Sequence, residues 1–440
     1  MTEAGGESMR RRVRRWAVGL IVLSGIFAVV PAGGEEEILA IKAGRIVTAA
    51  GGIFEKGCIL IREGKIADIG RTLALPKGTR VIDVSKDWVC PGFIDAFTNL
   101  GATDKETIEK DSDEATSPLT PHLRILDAVD PESGYIKTAR RMGLTSVVSA
   151  PEIGNLLSGQ GALIHLDGTD VQEMTIGFPV GVFGSLGEAP KRRYGAKGRM
   201  PMTRMGEAAL LRQTFIEAQE YAEKKSTCEK KINSLEEKAG AGKEAGAAGV
   251  EKPAPPETNL MLQALGPVLR GELPLILSAG RMDDILTALR IADEFHLKLI
   301  LLGGADAYKV KETLAQKKIP VILRPRDAYG LKVETEGATF STAAALEKAG
   351  ILFAFQTGSI QNIGDLIDQA KQAFAHGLSE EEAFKALTIN PARIFGAADR
   401  IGSLEKGKWA DLVVFDRNPL AETARVRLVI IRGKVVEDMR

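Results

Sequence analysis

Val89-Cys90-Pro91-Gly92-Phe93-Ile94-Asp95-Ala96-Phe97-Thr98-Asn99-Leu100-Gly101 is the stretch whose reading decides the fold. It is an apolar run, entered through a Pro-Gly pair and left through small and polar residues, which is the texture of a buried β-strand. On its N-terminal side, from Glu37 to Asp87, short β-runs such as Ile38-Leu39-Ala40-Ile41 and Cys58-Ile59-Leu60-Ile61 alternate with glycine turns. That pattern predicts a small antiparallel sheet. The far C-terminus has the same texture, in Asp411-Leu412-Val413-Val414-Phe415 and Leu428-Val429-Ile430-Ile431. Neither end has enough apolar residues to bury a core alone, so residues 33–88 and 401–440 are expected to combine as one β-sandwich.

Between these ends, over residues 89–400, β and α patterns alternate as a parallel barrel requires. Leu275-Ile276-Leu277-Ser278, Leu299-Ile300-Leu301-Leu302-Gly303, Val321-Ile322-Leu323-Arg324 and Leu352-Phe353-Ala354-Phe355-Gln356 are short strands. Amphipathic helices separate or follow them, at Asp283 to Phe295 and Ile363 to Ala375, and Ser379 with Glu382 opens another through a capping box. The first half is less regular, with strands at Leu144 to Ala150 and Gly161 to Leu166 and a helix from Glu132 to Met142. The expected architecture is α/β, a (β/α)8 TIM-like barrel flanked by the composite β-sandwich. A charged, Gly/Ala/Pro-rich insertion at about 222–258 interrupts the barrel. Its composition offers too little apolar surface to offset the entropy of ordering, which predicts a loop between protruding helices or a partner-binding arm.

With 440 residues, 44% apolar and 26% charged, and a formal net charge of zero, the chain reads as globular. Nothing in that balance implies general affinity for nucleic acid. Arg10, Arg11, Arg12, Arg14 and Arg15 precede an apolar run from Ala17 to Val30, which is short of the roughly 20 residues of a spanning helix. Val30-Pro31-Ala32 then offers a cleavage site. Residues 1–32 therefore read as a signal peptide directing a periplasmic or secreted protein that is free of the membrane after cleavage; an uncleaved anchor is the other reading. Cys58, Cys90 and Cys228 are odd in number and far apart, which is neither a disulfide framework nor a zinc or redox pair.

The frame from Pro91 to Asp95 resembles the end of the first barrel strand in the amidohydrolase superfamily, Pro-Gly-Phe-Ile-Asp-x-His-x-His, whose two histidines hold a catalytic metal. Gly402-Ser403-Leu404-Glu405-Lys406-Gly407-Lys408-Trp409-Ala410-Asp411-Leu412 and Thr388-Ile389-Asn390-Pro391-Ala392-Arg393 are similar to its C-terminal signatures. Met200-Pro201-Met202-Thr203-Arg204-Met205-Gly206 resembles secreted, imidazolonepropionase-like members. The resemblance implies a barrel beside a sandwich made from both termini, and a metal-assisted hydrolase of carbon–nitrogen bonds. Carried over residue by residue, the family's metal-ligand positions fall on Phe97, Asn99, Ser278, Gly303 and Gly358. Phenylalanine and glycine side chains coordinate nothing, and Asn and Ser are poor zinc ligands. The expectation is a homologue without the family's divalent metal or any other cofactor. It would be catalytically inactive, serving as a small-molecule binder or as a subunit, in a homo-oligomer or beside an active paralogue. An active hydrolase of a small cyclic amide or related substrate is the alternative.

The four histidines do not rebuild a metal site in this reading. His296 and His376 stand at helix C-termini, where capping and the helix dipole explain them. His122 lies in a loop-to-helix segment, and His165 in the strand Ala162-Leu163-Ile164-His165-Leu166. Phe183-Gly184-Ser185-Leu186-Gly187 lacks the first glycine of a nucleophile elbow, and no phosphate or dinucleotide loop occurs. Asp95 and Asp104 are a candidate carboxylate pair for acid–base work. Polar groups near strand ends that could line a pocket are Gln160, His165, Arg281, Tyr308, Arg324, Gln356 and Thr357. Arg281 and Arg324 would suit an anionic or carbonyl-bearing ligand, or else form salt bridges at the barrel rim.

Overall fold

The computed structural model describes residues 38–103, 111–240, 254–329 and 333–440. The expected signal segment, Asp104, and the Gly/Ala/Pro-rich stretch 241–253 lie outside the described residues. The N-terminal strands are β1 (Leu39–Val47), β2 (Ile53–Arg62), β3 (Lys65–Gly70) and β4 (Arg80–Pro91). The barrel strands follow: β5 (Phe93–Thr98), β6 (Leu144–Ser149), β7 (Gly159–His165) and β8 (Thr175–Ser185). The barrel continues with β9 (Leu275–Ala279), β10 (Leu299–Gly303), β11 (Val321–Leu323) and β12 (Phe353–Phe355). β13 (Leu412–Phe415), β14 (Val426–Ile431) and β15 (Lys434–Asp438) close the chain.

The two ends do share one sheet, in the order β15-β14-β13-β4-β1-β2-β3. β13 lies antiparallel to β4, with Val413 opposite Cys90. β4 in turn runs parallel to β1, Ile82 opposite Ile41. The sheet curls so that Ile66 of β3 donates to the Lys408 carbonyl at 2.9 Å. Its inner face buries Ile41, Ile59, Leu412, Val414 and Ile430 in a separate apolar cluster. Cys90, fully buried, packs as the small apolar residue its position suggests, and burial pushes its thiol pKa up.

The second sheet runs β5 to β12 in chain order. It closes where Gly358 N donates to the Phe97 carbonyl at 3.0 Å, just after β12. One strand departs from the repeating unit. β7 is antiparallel to both β6 and β8. The reason lies in the links: only residues 150–158 separate β6 from β7, and a parallel crossover needs a dozen or more. Between β7 and β8 there is a single turn of helix, Val171–Met174. The remaining links carry helices as expected, among them Gly134–Arg141 and Met282–Phe295.

Helix ends follow local chemistry. Met282–Phe295 begins with Asp283 and Asp284 in its first turn, favourable to the dipole, and ends on His296 in the left-handed conformation at φ 56°. His376 follows Leu366–Ala375, and its Nδ1 lies 2.7 Å from the Gln372 carbonyl. Ser379 caps Glu380–Leu387 by accepting from Glu382 N at 3.2 Å. The Glu382 carboxylate does not complete the box; it accepts from Asn390 Nδ2 at 2.7 Å. The insertion begins as a helix of 37 residues, Arg204–Gly240. A second helix, Leu260–Leu269, packs back on it, with Gln263 Nε2 donating to the Tyr221 hydroxyl at 2.9 Å. The Asn259 side chain caps that return helix by accepting from Leu262 N at 3.1 Å.

Candidate functional site

At the end of the barrel where the parallel strands finish, a cavity of about 520 Å³ opens. Phe97, Asn99, Ser278, Gly303 and Gly358 all line it. Phe97 comes from the end of β5 and Asn99 from the residue just past it. Ser278 comes from β9, Gly303 from β10, and Gly358 from the turn after β12. Five positions spread over more than half the barrel sequence thus converge on a single hollow.

Each is occupied in a way that suits packing or backbone. The Phe97 ring stacks on Phe183 with centroids 5.7 Å apart and belongs to the apolar filling of the barrel. Asn99 is almost wholly buried. Its Oδ1 accepts from Ile360 N at 2.9 Å, which fixes the amide orientation. Nδ2 then faces Thr103 and Ser112, both at 3.3 Å, and Glu152 at 3.5 Å. Gly303 and Gly358 sit at φ +87° and +80°, conformations strained for most side chains. A Cβ on Gly303 would have nothing nearer than the Ser278 hydroxyl at 3.8 Å.

The donor chemistry does not suit a divalent ion. Catalytic zinc takes three protein ligands from His, Cys, Asp or Glu, and none of these five positions supplies one. Glu152, Asp327 and Glu334 also line the cavity, but they come from separate loops. Among the described residues no three His, Cys, Asp or Glu side chains are grouped to hold a metal.

Of the seven residues expected near the pocket, Arg324 and Gln356 line the cavity. Thr357 lies fully buried beneath it, holding Asp95. The other four do not line it. Gln160 donates from Nε2 to the Pro121 carbonyl at 3.3 Å. Arg281 turns to Asp283, at 3.0 and 3.1 Å. Tyr308 lies in a 3₁₀ turn, its ring 5.6 Å from the Lys309 ammonium. His165 sits at the end of the barrel opposite the cavity, where Nε2 meets Asp411 Oδ2 at 2.9 Å and the ring lies 4.9 Å from that of Trp409. The direction of β7 accounts for this: because it runs antiparallel, its last residue lies beside Ser146 near the start of β6, so His165, on the same face as Leu163, ties that end of the barrel to the segment before β13. The Asp411 Oδ1 atom accepts from Arg432 N at 2.8 Å, which completes that joint.

Charged residues that the sequence did not single out supply much of the lining. Arg193 is gripped by Asp113 at 2.5 and 3.0 Å, and Arg326 pairs with Asp365. In Lys191-Arg192-Arg193 nothing in the sequence distinguishes the cation that lines the cavity from its two neighbours. Asp95 lies under the floor, wholly buried. Its Oδ1 accepts from Phe97 N at 3.2 Å and Thr357 N at 3.0 Å, and Oδ2 accepts from the Thr357 hydroxyl. Burial outweighs those donors and raises its pKa to about 7. Glu207, also buried, is raised to about 7 for the same reason although Gly187 N donates to its carboxylate.

A barrel with a polar cavity at the strand ends, set beside a sheet assembled from both ends of the chain, defines the architecture of the amidohydrolases. The chain belongs to that family. Residues 282–436 match the model of the amidohydrolase family. An amidohydrolase of Thermotoga maritima MSB8 is 34% identical, with a TM-score of 0.83 over 91% of this chain and 100% of that one. An imidazolonepropionase of Symbiobacterium thermophilum is 26% identical over 420 residues, covering 86% of this chain and 90% of the relative. Amidohydrolase tasK of Hapsidospora irregularis is 24% identical over 403 residues; the match takes in 87% of this chain but spans only 40% of that longer protein.

Proposed function

We propose that this protein is a metal-free amidohydrolase homologue that binds a small molecule in the barrel-mouth cavity and does not hydrolyse it. The observation that carries the reading is the convergence of Phe97, Asn99, Ser278, Gly303 and Gly358 on that cavity without one imidazole or carboxylate among them. In the hydrolases of the family a divalent ion polarises the scissile carbonyl and brings the pKa of bound water from about 16 to about 7. Among the described residues nothing replaces that service. Asp95 is sealed below the floor with both oxygens engaged, so it cannot reach a substrate. Each 1.36 kcal/mol of lost transition-state stabilisation is tenfold in rate, and a Lewis acid is worth several kcal/mol. Retention of the barrel, its closure and its cavity supports continued use of the fold for binding. The basic and apolar segment within residues 1–32 supports export, with the mature protein working outside the cytoplasm, in an oligomer of its own or beside a metal-bearing paralogue.

The test is metal analysis of protein purified without chelators, together with hydrolysis assays on amide substrates such as that of the imidazolonepropionase relative. The expected result is substoichiometric zinc, iron and manganese and no hydrolysis above buffer. Stoichiometric metal with metal-dependent turnover would overturn the reading and make the protein an ordinary hydrolase.

A further inference from the structure

Among the described residues three cations line the cavity, and they are not equivalent. Arg193 is neutralised by its two-point contact with Asp113, and Arg326 by Asp365. Arg324, at the end of β11, is left nearly unspent. Among the described residues its one ion pair is to Asp327 Oδ1 at 3.8 Å, beyond hydrogen-bond range, and its Nε has no acceptor. A guanidinium offers five donors, so most of this capacity is unused.

Beside it stands Gln356, at the end of the adjacent strand β12. Gln356 lines the cavity with only 4% of its surface exposed, and its Oε1 has no donor. A buried polar group without a partner is costly, and such a group in a cavity marks a place where a ligand completes the bonding. The two side chains meet over Gly358. A Cβ built there would lie 3.5 Å from Arg324 Cζ and 3.5 Å from Gln356 Oε1. Glycine at 358 therefore leaves open the space that a side chain would fill directly on the guanidinium.

We infer that Arg324 holds the carboxylate of a small anionic ligand, its guanidinium serving as the cavity's resident positive charge, with Gln356 Oε1 alongside open to a hydroxyl or N–H group elsewhere on the same ligand. This deepens the metal-free reading above and rests on it, because a bound divalent ion would compete for the same anion. A carboxylate suits the fork geometry of a guanidinium better than a neutral carbonyl does, since two charge-assisted hydrogen bonds can form at once. The cavity volume, about 520 Å³, suits a ligand of drug-fragment to metabolite size.

The experiment measures binding of matched pairs, namely acetate and acetamide, benzoate and benzamide, phenylacetate and phenylacetamide. It uses the full mature chain at constant ionic strength, by ligand-observed NMR and thermal shift, with and without EDTA. At least one carboxylate is expected to bind about tenfold more tightly than its amide, the order expected of a charge-assisted contact. Arg324→Gln should remove that preference. Asp327→Asn, which takes away the competing carboxylate, should strengthen it, so a poorly folding Arg324 variant would not end the test. Preference for no carboxylate in a metal-free protein would overturn this inference alone. Bound metal together with an Arg324-dependent preference would overturn the metal-free reading alone. A preference abolished by EDTA but untouched by Arg324→Gln would overturn both.

Discussion

Asp95→Asn should reverse its effect on stability between acid and alkaline pH. In the folded protein burial holds the Asp95 carboxyl pKa at about 7, while the unfolded chain titrates near the ordinary 3.8. Between those values the folded state keeps a proton that the unfolded state has lost. Stability contributed by this group is therefore complete below about pH 4 and is lost as pH rises through 7. About three units at 1.36 kcal/mol each sets an upper bound of roughly 4 kcal/mol. The proton has a place to go: Oδ2–H can donate to the Thr357 hydroxyl, which turns toward the Ser359 carbonyl at 3.4 Å. Asparagine mimics the neutral acid at every pH. Urea denaturation of wild type and variant at pH 5 and pH 8 isolates this one group, because all other titrations cancel in the double difference. About two of those units lie above pH 5, so between pH 5 and pH 8 the variant is expected to gain up to about 3 kcal/mol relative to wild type. A pH-independent loss would mean that the three donors around Asp95 hold it ionised, and the argument from burial would be wrong.

Two further predictions rest on geometry alone. His165→Ala strips the partner from a buried Asp411 oxygen and should cost about 3–5 kcal/mol in denaturation experiments; a loss under about 1 kcal/mol would show that the joint between barrel and flanking sheet does not depend on it. Phe97→His places an imidazole against Phe183 in the apolar filling of the barrel and should cost about 1–3 kcal/mol. In a zinc titration the same variant should show no new stoichiometric site, since Ser278, Gly303 and Gly358 still supply no ligand.

The strand and helix order was legible in the chain because it depends on periodicity, while the five cavity positions were legible only through the resemblance to the amidohydrolases. The positions of Phe97, Asn99, Ser278 and Gly303, at or just past strand ends, carry over to space once the barrel order is known. Gly358 needed only the turn after β12. What stayed hidden depends on contacts without a sequence period. The direction of β7 is set by the length of its links rather than by its own residues. Arg193 turns inward because Asp113, 80 residues earlier, waits for it. His165 was placed in the right strand but at the wrong end of the barrel, because β7 runs antiparallel and its last residue meets Asp411, 246 residues away. Arg281 stands where a strand-end cation is expected to face the cavity, yet Asp283 two residues on satisfies it at the helix entrance.

The shared sheet has a consequence for how the chain is made. β4 ends at Pro91 and its neighbour β13 begins at Leu412, so more than 300 residues leave the ribosome before that edge is covered. At roughly 5–20 residues per second the delay is on the order of tens of seconds. Throughout it, Val89 and Cys90 present an open, apolar strand margin that invites mispairing. A nascent chain of this protein therefore needs a holdase, or a slow commitment to its first barrel strands, until its last strands emerge to complete the wall.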